Sequence, residues 1–279
     1  MKLRTVFVST GVLLLCLQHA IHAQNKPESN IPALGNAFTR GPATPSKGVH
    51  QLSAEAQRIE AALDQRLWAL ANVICHEQIA RFARKGKTTN QLDTLDVNVE
   101  VLGGIEKYSR ILLKQKQYPN MQKLPGTWSI GEMATLLSAT RDAIDLGDVQ
   151  LGEEEVSDLG RSSTMTFSYA AGSQRWYLRA NSQLHWLSFE GRVWTSPDTG
   201  EIRRISWYAR DLPSETGVAQ VLWTVDFSSV DLSSLVVTLP EKALFQITYK
   251  NGDDRVDWNV THFSEYRRYG ADTAIHFDE

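Results

Sequence analysis

The stretch Leu95-Asp-Val-Asn-Val-Glu-Val101 alternates apolar and polar residues without interruption. Successive side chains of a β-strand point to opposite faces, so this alternation predicts an antiparallel strand with one buried face. The same period of two runs upstream from Val73 to Phe82, with a turn predicted over residues 86–90. Downstream, Gly103-Gly104 predicts a turn or bulge before a third strand over residues 108–113. An antiparallel sheet therefore decides the fold.

Two other segments have the period of an amphipathic helix. Behind Ser53, a suitable N-cap, apolar residues recur every three or four positions and form one stripe. That stripe consists of Ala56, Ile59, Leu63, Leu67 and Leu70. A second helix is predicted to begin near Ser129, which forms a capping box with Glu132. Each helix therefore needs an apolar surface on which to pack.

Most of the chain after residue 160 again alternates like strands. Seven strands are predicted, over residues 164–170, 174–180, 184–195, 201–210, 220–228, 243–249 and 255–266. The segment Ser196-Pro-Asp-Thr-Gly200 predicts a turn, because proline presets φ and glycine accepts a positive φ. Asn251-Gly252-Asp253 predicts a hairpin, and the acidic stretch 147–158 predicts a solvated loop.

The order of these elements is helix, strands, helix and then many strands. This order predicts an α+β fold, in which a strongly curved antiparallel sheet carries both helices on its concave face. Residues 52–279 form a single domain in this interpretation. With 42% hydrophobic residues, that length can bury one sizeable core.

The N-terminal segment has the composition of an export signal. Lys2 and Arg4 precede an apolar run, and small residues end at Ala23, so residues 1–23 are predicted to be a cleavable signal peptide. The apolar run is too short to span a bilayer as a helix, which argues against the alternative of a membrane anchor. Residues 24–51 contain four prolines and no apolar period, so they are predicted to be a disordered linker. We expect a periplasmic or secreted protein.

The chain has two cysteines, Cys16 and Cys75. Leu15 stands where a lipoprotein signal needs a small residue before its cysteine, so lipidation of Cys16 is not expected. Removal of the signal leaves Cys75 alone, which excludes an intramolecular disulfide. Cysteine is among the most often buried residues, so a buried and inert thiol is favoured over one that reacts or pairs with another chain.

No catalytic, metal or cofactor signature is found in the sequence. His76-Glu77 lacks the second histidine of a zinc helix, since Ala80 occupies that position, and the remaining histidines have no ligand spacing. There is no Gly-x-Ser-x-Gly elbow and no phosphate-binding glycine loop. The 29 basic and 32 acidic residues form no basic stripe, which argues against nucleic acid. We therefore expect a protein that is not an enzyme.

Tryptophan is concentrated in the β-rich half. Trp207 shares strand parity with Ile205, and Trp223 shares it with Val225 and Phe227, so these five side chains are predicted to occupy one apolar face. They are the candidate lining of a cavity for an acyl chain. Ordinary core packing is the alternative interpretation of the same pattern.

The segment from Trp194 to Ile205, with its Pro-Asp-Thr-Gly turn and Arg-Ile step, resembles the outer-membrane lipoprotein-sorting (LolA/LolB-like) group. It looks closest to bacterial exported proteins of that layout. Residues 67–81 are similar to the first helix running into the first strand, residues 235–240 to the loop before the last hairpin, and residues 263–269 to its closing strand. The resemblance implies an unclosed half-barrel with helices as a lid, whose members shelter lipid chains or sense the envelope by binding partners.

Two functions remain open from the sequence. The first is a non-enzymatic exported protein that binds or carries a hydrophobic ligand, such as a lipid or acyl chain. The second is an envelope protein-interaction or sensing module with a filled core and no small-molecule ligand. Neither involves nucleic acid or integration into the membrane.

Overall fold

The alternation of apolar and polar residues along the strands sets most of the architecture seen in the computed structural model. The described residues are 13–16, 53–146, 149–169, 176–180, 183–210, 212–232, 235–250 and 254–268. The predicted linker and the predicted hairpin at Asn251-Gly252-Asp253 lie outside them, as does most of the predicted signal peptide.

A large antiparallel sheet dominates the described residues. Eleven of its strands follow one another in the spatial order β5-β4-β3-β2-β16-β15-β14-β13-β12-β9-β7, and β8 pairs with β9. These strands are β2 Val73–Lys85, β3 Thr88–Leu102, β4 Ile105–Leu113, β5 Lys116–Tyr118, β7 Val149–Leu151, β8 Glu155–Ser157, β9 Gly160–Tyr169, β12 Phe189–Thr195, β13 Ile202–Arg210, β14 Val218–Leu232, β15 Leu235–Tyr249 and β16 Val256–Arg268. The sheet is curved and unclosed, which confirms the predicted α+β half-barrel.

A second, smaller sheet has the order β11-β10-β1-β6. Its strands are β1 Leu13–Cys16, β6 Trp128–Ser129, β10 Trp176–Ala180 and β11 Gln183–Trp186. β1 is antiparallel to β10 and parallel to β6, and it falls within the predicted signal peptide. The full-length chain therefore contributes part of its N-terminal segment to a sheet.

Two α-helices lie on the concave side of the large sheet. α1 spans Ala54–Leu70, and the hydroxyl of Ser53 accepts a hydrogen bond of 3.2 Å from the amide of Ala56, as the sequence predicts for an N-cap. α2 spans Ala134–Leu146, five residues later than the predicted start at Ser129. The expected capping box is wrong, because the Ser129 hydroxyl donates to the Glu132 carboxylate rather than capping the helix backbone.

Three other boundaries differ from the prediction. The predicted acidic loop contains β7 and β8, whose backbones pair with β9. Residues 184–195 form two strands, β11 and β12, that belong to different sheets. Residues 235–240, expected to be a loop, begin the long strand β15, because β14 extends to Leu232 and pairs with them.

The structure has the turn that the sequence predicts at residues 196–200. The amide of Gly200 donates to the carbonyl of Ser196 at 2.8 Å, and Gly200 has φ of 73°, which closes the Pro-Asp-Thr-Gly turn. Gly191 meets a different need: a Cβ at this position would lie 1.9 Å from the ring of Phe167 on the paired strand. Glycine at 191 therefore lets Phe167 lie flat on the sheet and fill the core beneath α2.

Candidate ligand-binding site

The five side chains predicted to share a face do so. In the register of β13 and β14, Ile205 lies opposite Val225 and Trp207 lies opposite Trp223. All five, including Phe227, belong to the main apolar core on the concave side of the sheet. We call Ile205, Trp207, Trp223, Val225 and Phe227 the aromatic strip.

The aromatic strip is closely covered. Ile205, Trp207, Trp223 and Val225 are 0% exposed, and Phe227 is 8% exposed. Trp207 makes edge contacts with two phenylalanine rings at centroid distances of 5.3 and 5.2 Å, and Trp223 makes one with Phe245 at 5.9 Å. A side chain with no accessible surface adjoins no void that admits a water molecule. A ligand could therefore reach the strip only after a neighbouring element moves.

The helices are the elements that cover this part of the sheet, and a few polar contacts hold them there. The indole Nε1 of Trp207 donates to the hydroxyl of Thr140 in α2 at 2.9 Å. Arg66 of α1 donates to Glu201, beside the Pro-Asp-Thr-Gly turn, at 3.5 Å. Arg141 of α2 donates to Asp64 of α1 at 3.2 Å, so the two helices are also joined to each other. The two helices thus form one layer, joined by polar contacts, that covers the apolar concave face of the sheet.

A group of buried carboxyl side chains lies at the other end of the concave face. Glu77 is 1%, Glu132 2% and Glu106 8% exposed. Glu77 comes from β2, Glu106 from β4, and Glu132 from the turn that leads into α2. We call these three residues the carboxyl cluster. Its presence in the core demands partners, because a buried charge without compensation is expensive.

Glu106 is the best-partnered member of the carboxyl cluster. Its Oε1 accepts a hydrogen bond of 2.9 Å from the amide of Thr135 in the first turn of α2, and its Oε2 accepts one from the hydroxyl of Tyr108. That hydroxyl in turn accepts from the amide of Gly131 at 2.7 Å. A carboxylate at a helix N-terminus is also favoured by the helix dipole. Glu106 thereby fixes the start of α2 against the sheet.

The other two carboxyl groups each keep a buried oxygen without a hydrogen-bond partner. For Glu132, Oε1 accepts from Ser129, but Oε2 has no partner. For Glu77, the oxygen Oε1 is likewise buried and unpartnered. Because each unmet buried acceptor costs roughly 1–3 kcal/mol, these two oxygens are unusual features of a folded core.

Burial shifts the titration of the whole cluster. Desolvation, reinforced by the neighbouring charge of Glu106, raises the pKa of Glu132 to about 8. Desolvation raises the pKa of Glu77 well above its usual value, and the charges of Glu132 and Glu106 add to this. The pKa of Glu106 is raised by burial too, but its hydrogen bonds from Thr135 and Tyr108 oppose the shift. Burial therefore favours the protonated form of both Glu77 and Glu132.

Among the described residues, no group of three or more histidine, cysteine, aspartate or glutamate side chains is arranged to hold a metal ion. His76, next to Glu77, lies on the opposite face of β2 and approaches Asp96 at 3.6 Å. The side chains of the carboxyl cluster offer hydrogen-bond acceptors and proton-binding sites at one end of the apolar concave face.

The sequence contains a signal for the burial of Glu77. Glu77 shares strand parity with Val73, Cys75 and Ile79, so a carboxyl stands where the pattern calls for an apolar residue. Glu132 was interpreted only as a helix cap. Glu106 has no such signal, because it directly follows Ile105 at the start of a short strand.

A polar network fixes the segment that carries Glu132. The guanidinium of Arg81, 3% exposed, donates to both oxygens of Asp93 at 2.6 and 2.8 Å and to the carbonyl of Pro125 at 2.6 Å. Two residues further on, the hydroxyl of Thr127 donates to Asp257 of β16 at 2.9 Å. The approach to α2 is thereby tied to β2, β3 and β16.

Cys75 is buried, at 2% exposure, and its Sγ lies 3.5 Å from the Sδ of Met133, just before α2. Burial, with the charges of Glu77 and Glu106, raises the pKa of this thiol well above its usual value. A neutral thiol is a poor nucleophile, so the described environment is that of a structural cysteine.

The fold and the site define a class: an unclosed α+β half-barrel with a covered apolar face and a buried carboxyl group at one end. Solved structures that match include a DUF1329 family protein from Desulfovibrio piger, with 11% identity and a TM-score of 0.40 over 80% of this chain and 96% of that one. An outer membrane lipoprotein-sorting protein domain from Vibrio parahaemolyticus matches with 8% identity and a TM-score of 0.36, over 79% and 95% of the two chains.

The second of these structures has the description of the group that the sequence resembles. Both TM-scores are below 0.5, so neither alignment supports a statement about what this chain binds. No family model and no curated protein matches the chain. Of the helices in the described part of the chain, none has the length and apolar character needed to cross a membrane.

Proposed function

We propose that this chain is a non-enzymatic exported protein that binds a hydrophobic ligand, a lipid or acyl chain, between the sheet and its helical layer. The observation that carries the proposal is the aromatic strip, which faces two helices rather than a second sheet. Helices that pack on a sheet through apolar side chains and a few polar contacts can move as a unit, whereas a sheet-on-sheet core cannot open without losing its whole interface.

The driving force for such a complex is apolar burial. Each methylene of a ligand that leaves water contributes about 0.8 kcal/mol, so an acyl chain supplies affinity without any polar contact. In the closed state the strip is covered by the side chains of the core itself. Opening must therefore break the Trp207–Thr140 and Arg66–Glu201 contacts, and the ligand then replaces the apolar contacts that the helices give up.

Export is part of the same proposal. Residues 1–23 have the charge, apolar run and small-residue end of a cleavable signal, which would direct the protein to the periplasm or the exterior. There the partner would be a hydrophobic ligand or an envelope protein that delivers it.

Native mass spectrometry after incubation with an envelope lipid extract tests the proposal. We expect lipid adducts on the chain from Gln24 onward, and loss of these adducts in the variant Trp223→Leu. Trp258→Leu is the matched control, because Trp258 lies on the opposite face and stacks on Phe82 at 5.3 Å. Circular-dichroism melts of both variants separate loss of binding from loss of fold. Repeated absence of adducts on the parent protein would refute the proposal.

A second function is favoured by one observation, the complete burial of the aromatic strip. Four of its five side chains are 0% exposed, as a filled core requires. Under this alternative, the protein is an envelope interaction or sensing module that holds no small ligand. Crosslinking in the periplasm followed by affinity purification would then return a reproducible protein partner. If the purified protein carried lipid and no protein partner, this alternative would be rejected.

A further inference from the structure

We propose that Glu77 and Glu132 form the head-group subsite of the apolar ligand, and that the head group is a primary ammonium. The inference rests on the proposed function, because it assumes that an apolar tail lies against the aromatic strip on the same concave face. It extends that function by assigning a ligand chemistry: an amphiphile with a positively charged amine at one end.

The two free oxygens give the first reason. Oε1 of Glu77 and Oε2 of Glu132 are buried and accept no hydrogen bond, while both oxygens of Glu106 are occupied. No N–H or O–H group of the described residues donates to either oxygen, so a ligand that brings its own donors would complete the site. A primary ammonium has three N–H donors, which suits two separate carboxyl oxygens.

Charge gives the second reason. The charged groups that act on Glu77 from the neighbouring elements are Glu132 and Glu106, and the one that acts on Glu132 is Glu106. Within the described residues, these influences include no basic side chain. The other titratable groups at the cluster are Cys75 on β2, Tyr108 on β4 and Tyr266 on β16, and the charges of Glu77 and Glu106 act on all three. A cationic head group would stabilise the ionised form of these carboxyl groups, which no basic side chain among these influences does.

Position gives the third reason. Glu77 lies on β2, and Trp223 lies on β14, three strands away in the same sheet. At the usual strand spacing of about 4.8 Å the two strands lie about 14 Å apart across the sheet. The register aligns Trp223 with Arg81, four residues along β2 from Glu77. Glu77 and Trp223 both belong to the concave side, since Glu77 has the parity of buried Cys75 and Ile79. A tail on the aromatic strip can therefore run toward the carboxyl cluster.

The test compares three probes that share one tail: dodecylamine, dodecanol and dodecanoate. Their binding to the chain from Gln24 onward is measured by isothermal titration calorimetry at pH 7, below the micelle concentration. We expect the amine to bind about tenfold more tightly than the alcohol, because charge-assisted hydrogen bonds are about twice as strong as neutral ones. Dodecanoate should bind most weakly.

Two variants and a proton balance sharpen the test. Glu77→Gln and Glu132→Gln should each remove most of the preference for the amine, while Glu241→Gln, an exposed position on β15, should keep it. Titrations in buffers of different ionisation enthalpy should show that the parent protein releases protons when the amine binds, since the ammonium favours ionised carboxyls. This measurement needs no variant, so it holds even if a glutamine substitution disturbs folding.

Each outcome bears on one claim. Equal affinity for amine and alcohol, without proton release, would overturn the head-group subsite and leave the proposed function intact. If both glutamine variants were more stable than the parent and kept its preference for the amine, Glu77 and Glu132 would not recognise the head group, which also overturns the subsite. Failure of every probe to bind would instead refute the proposed function.

Discussion

The buried carboxyl group of Glu132 accepts a hydrogen bond from the hydroxyl of Ser129, and its second oxygen is unpartnered. Burial and the charge of Glu106 raise its pKa from 4.5 to about 8. The folded protein therefore keeps this proton up to about pH 8, whereas the unfolded chain loses it near pH 4.5. Because the folded state binds more protons across this window, stability falls as pH rises through it.

We predict that Glu132→Gln removes much of this pH dependence. Glutamine matches the neutral carboxyl in size and carries no titratable proton, so the penalty of keeping Glu132 protonated disappears. The free energy of unfolding of the parent should fall between pH 5 and pH 8, by up to about 1.4 kcal/mol per pH unit for one proton. The variant should show a flatter profile in urea denaturation at pH 5, 6, 7 and 8.

Glu241→Gln is the control at the residue scale, since this carboxyl is exposed on β15. Its profile should run parallel to that of the parent. If Glu132→Gln also ran parallel, Glu132 would be ionised in the folded protein at neutral pH, contrary to the environment described above.

At the scale of elements, β1 lies where the sequence predicts a removable signal. Leu13–Cys16 pairs with residues 176–179 of β10 on one side and with residues 128–129 of β6 on the other. Removal of residues 1–23 would leave the facing edge of β10 without a partner, although its other edge still pairs with β11. Unpaired edge amides open to solvent more readily than ladder amides.

We therefore predict faster hydrogen exchange in β10 of the chain that starts at Gln24 than in the full-length chain. The amides of residues 176–180 that face β1 should exchange about tenfold faster or more, as measured by mass spectrometry of peptides from this strand. The central strand β13, which pairs on both sides in the large sheet, serves as the internal reference and should not change. Equal exchange in β10 of both chains would show that β1 does not protect it in solution.

At the scale of the whole molecule, one apolar core joins the helices to the sheet, and Cys75 is part of it. The chain that starts at Gln24 has no other cysteine, so the rate of thiol labelling reports how this core opens. The Sγ of Cys75 contacts Met133 beside α2, and movement of the helical layer would expose it without unfolding the sheet.

We predict that iodoacetamide labels Cys75 through such partial opening. The labelling rate should exceed the rate set by global unfolding and should depend only weakly on urea at low concentration, because little surface is exposed in the open state. The comparison requires the global unfolding rate from the same urea series. If labelling instead followed global unfolding at every urea concentration, the helices would not move locally, and the proposed route for a ligand would be lost.

Sequence patterns determined the elements that depend on local alternation. The period of two located the strands from Val73 to Val101, the helical stripe and Ser53 located α1, and the Pro-Asp-Thr-Gly segment located its turn. The parity of Ile205, Trp207, Trp223, Val225 and Phe227 gave their common face, because side-chain direction in a strand follows from position alone.

Only the tertiary structure decided which residues meet across elements. Residues 235–240 became a strand because β14 offers them a pairing edge, and α2 begins at Ala134 because Glu106 from another strand holds its first turn. Glu77, Glu106 and Glu132 are distant along the chain, and strand pairing and the packing of the turn before α2 bring them close enough for their charges to interact. Their burial, and the raised pKa values that follow from it, arise from desolvation by many neighbours, which no local pattern of residues encodes.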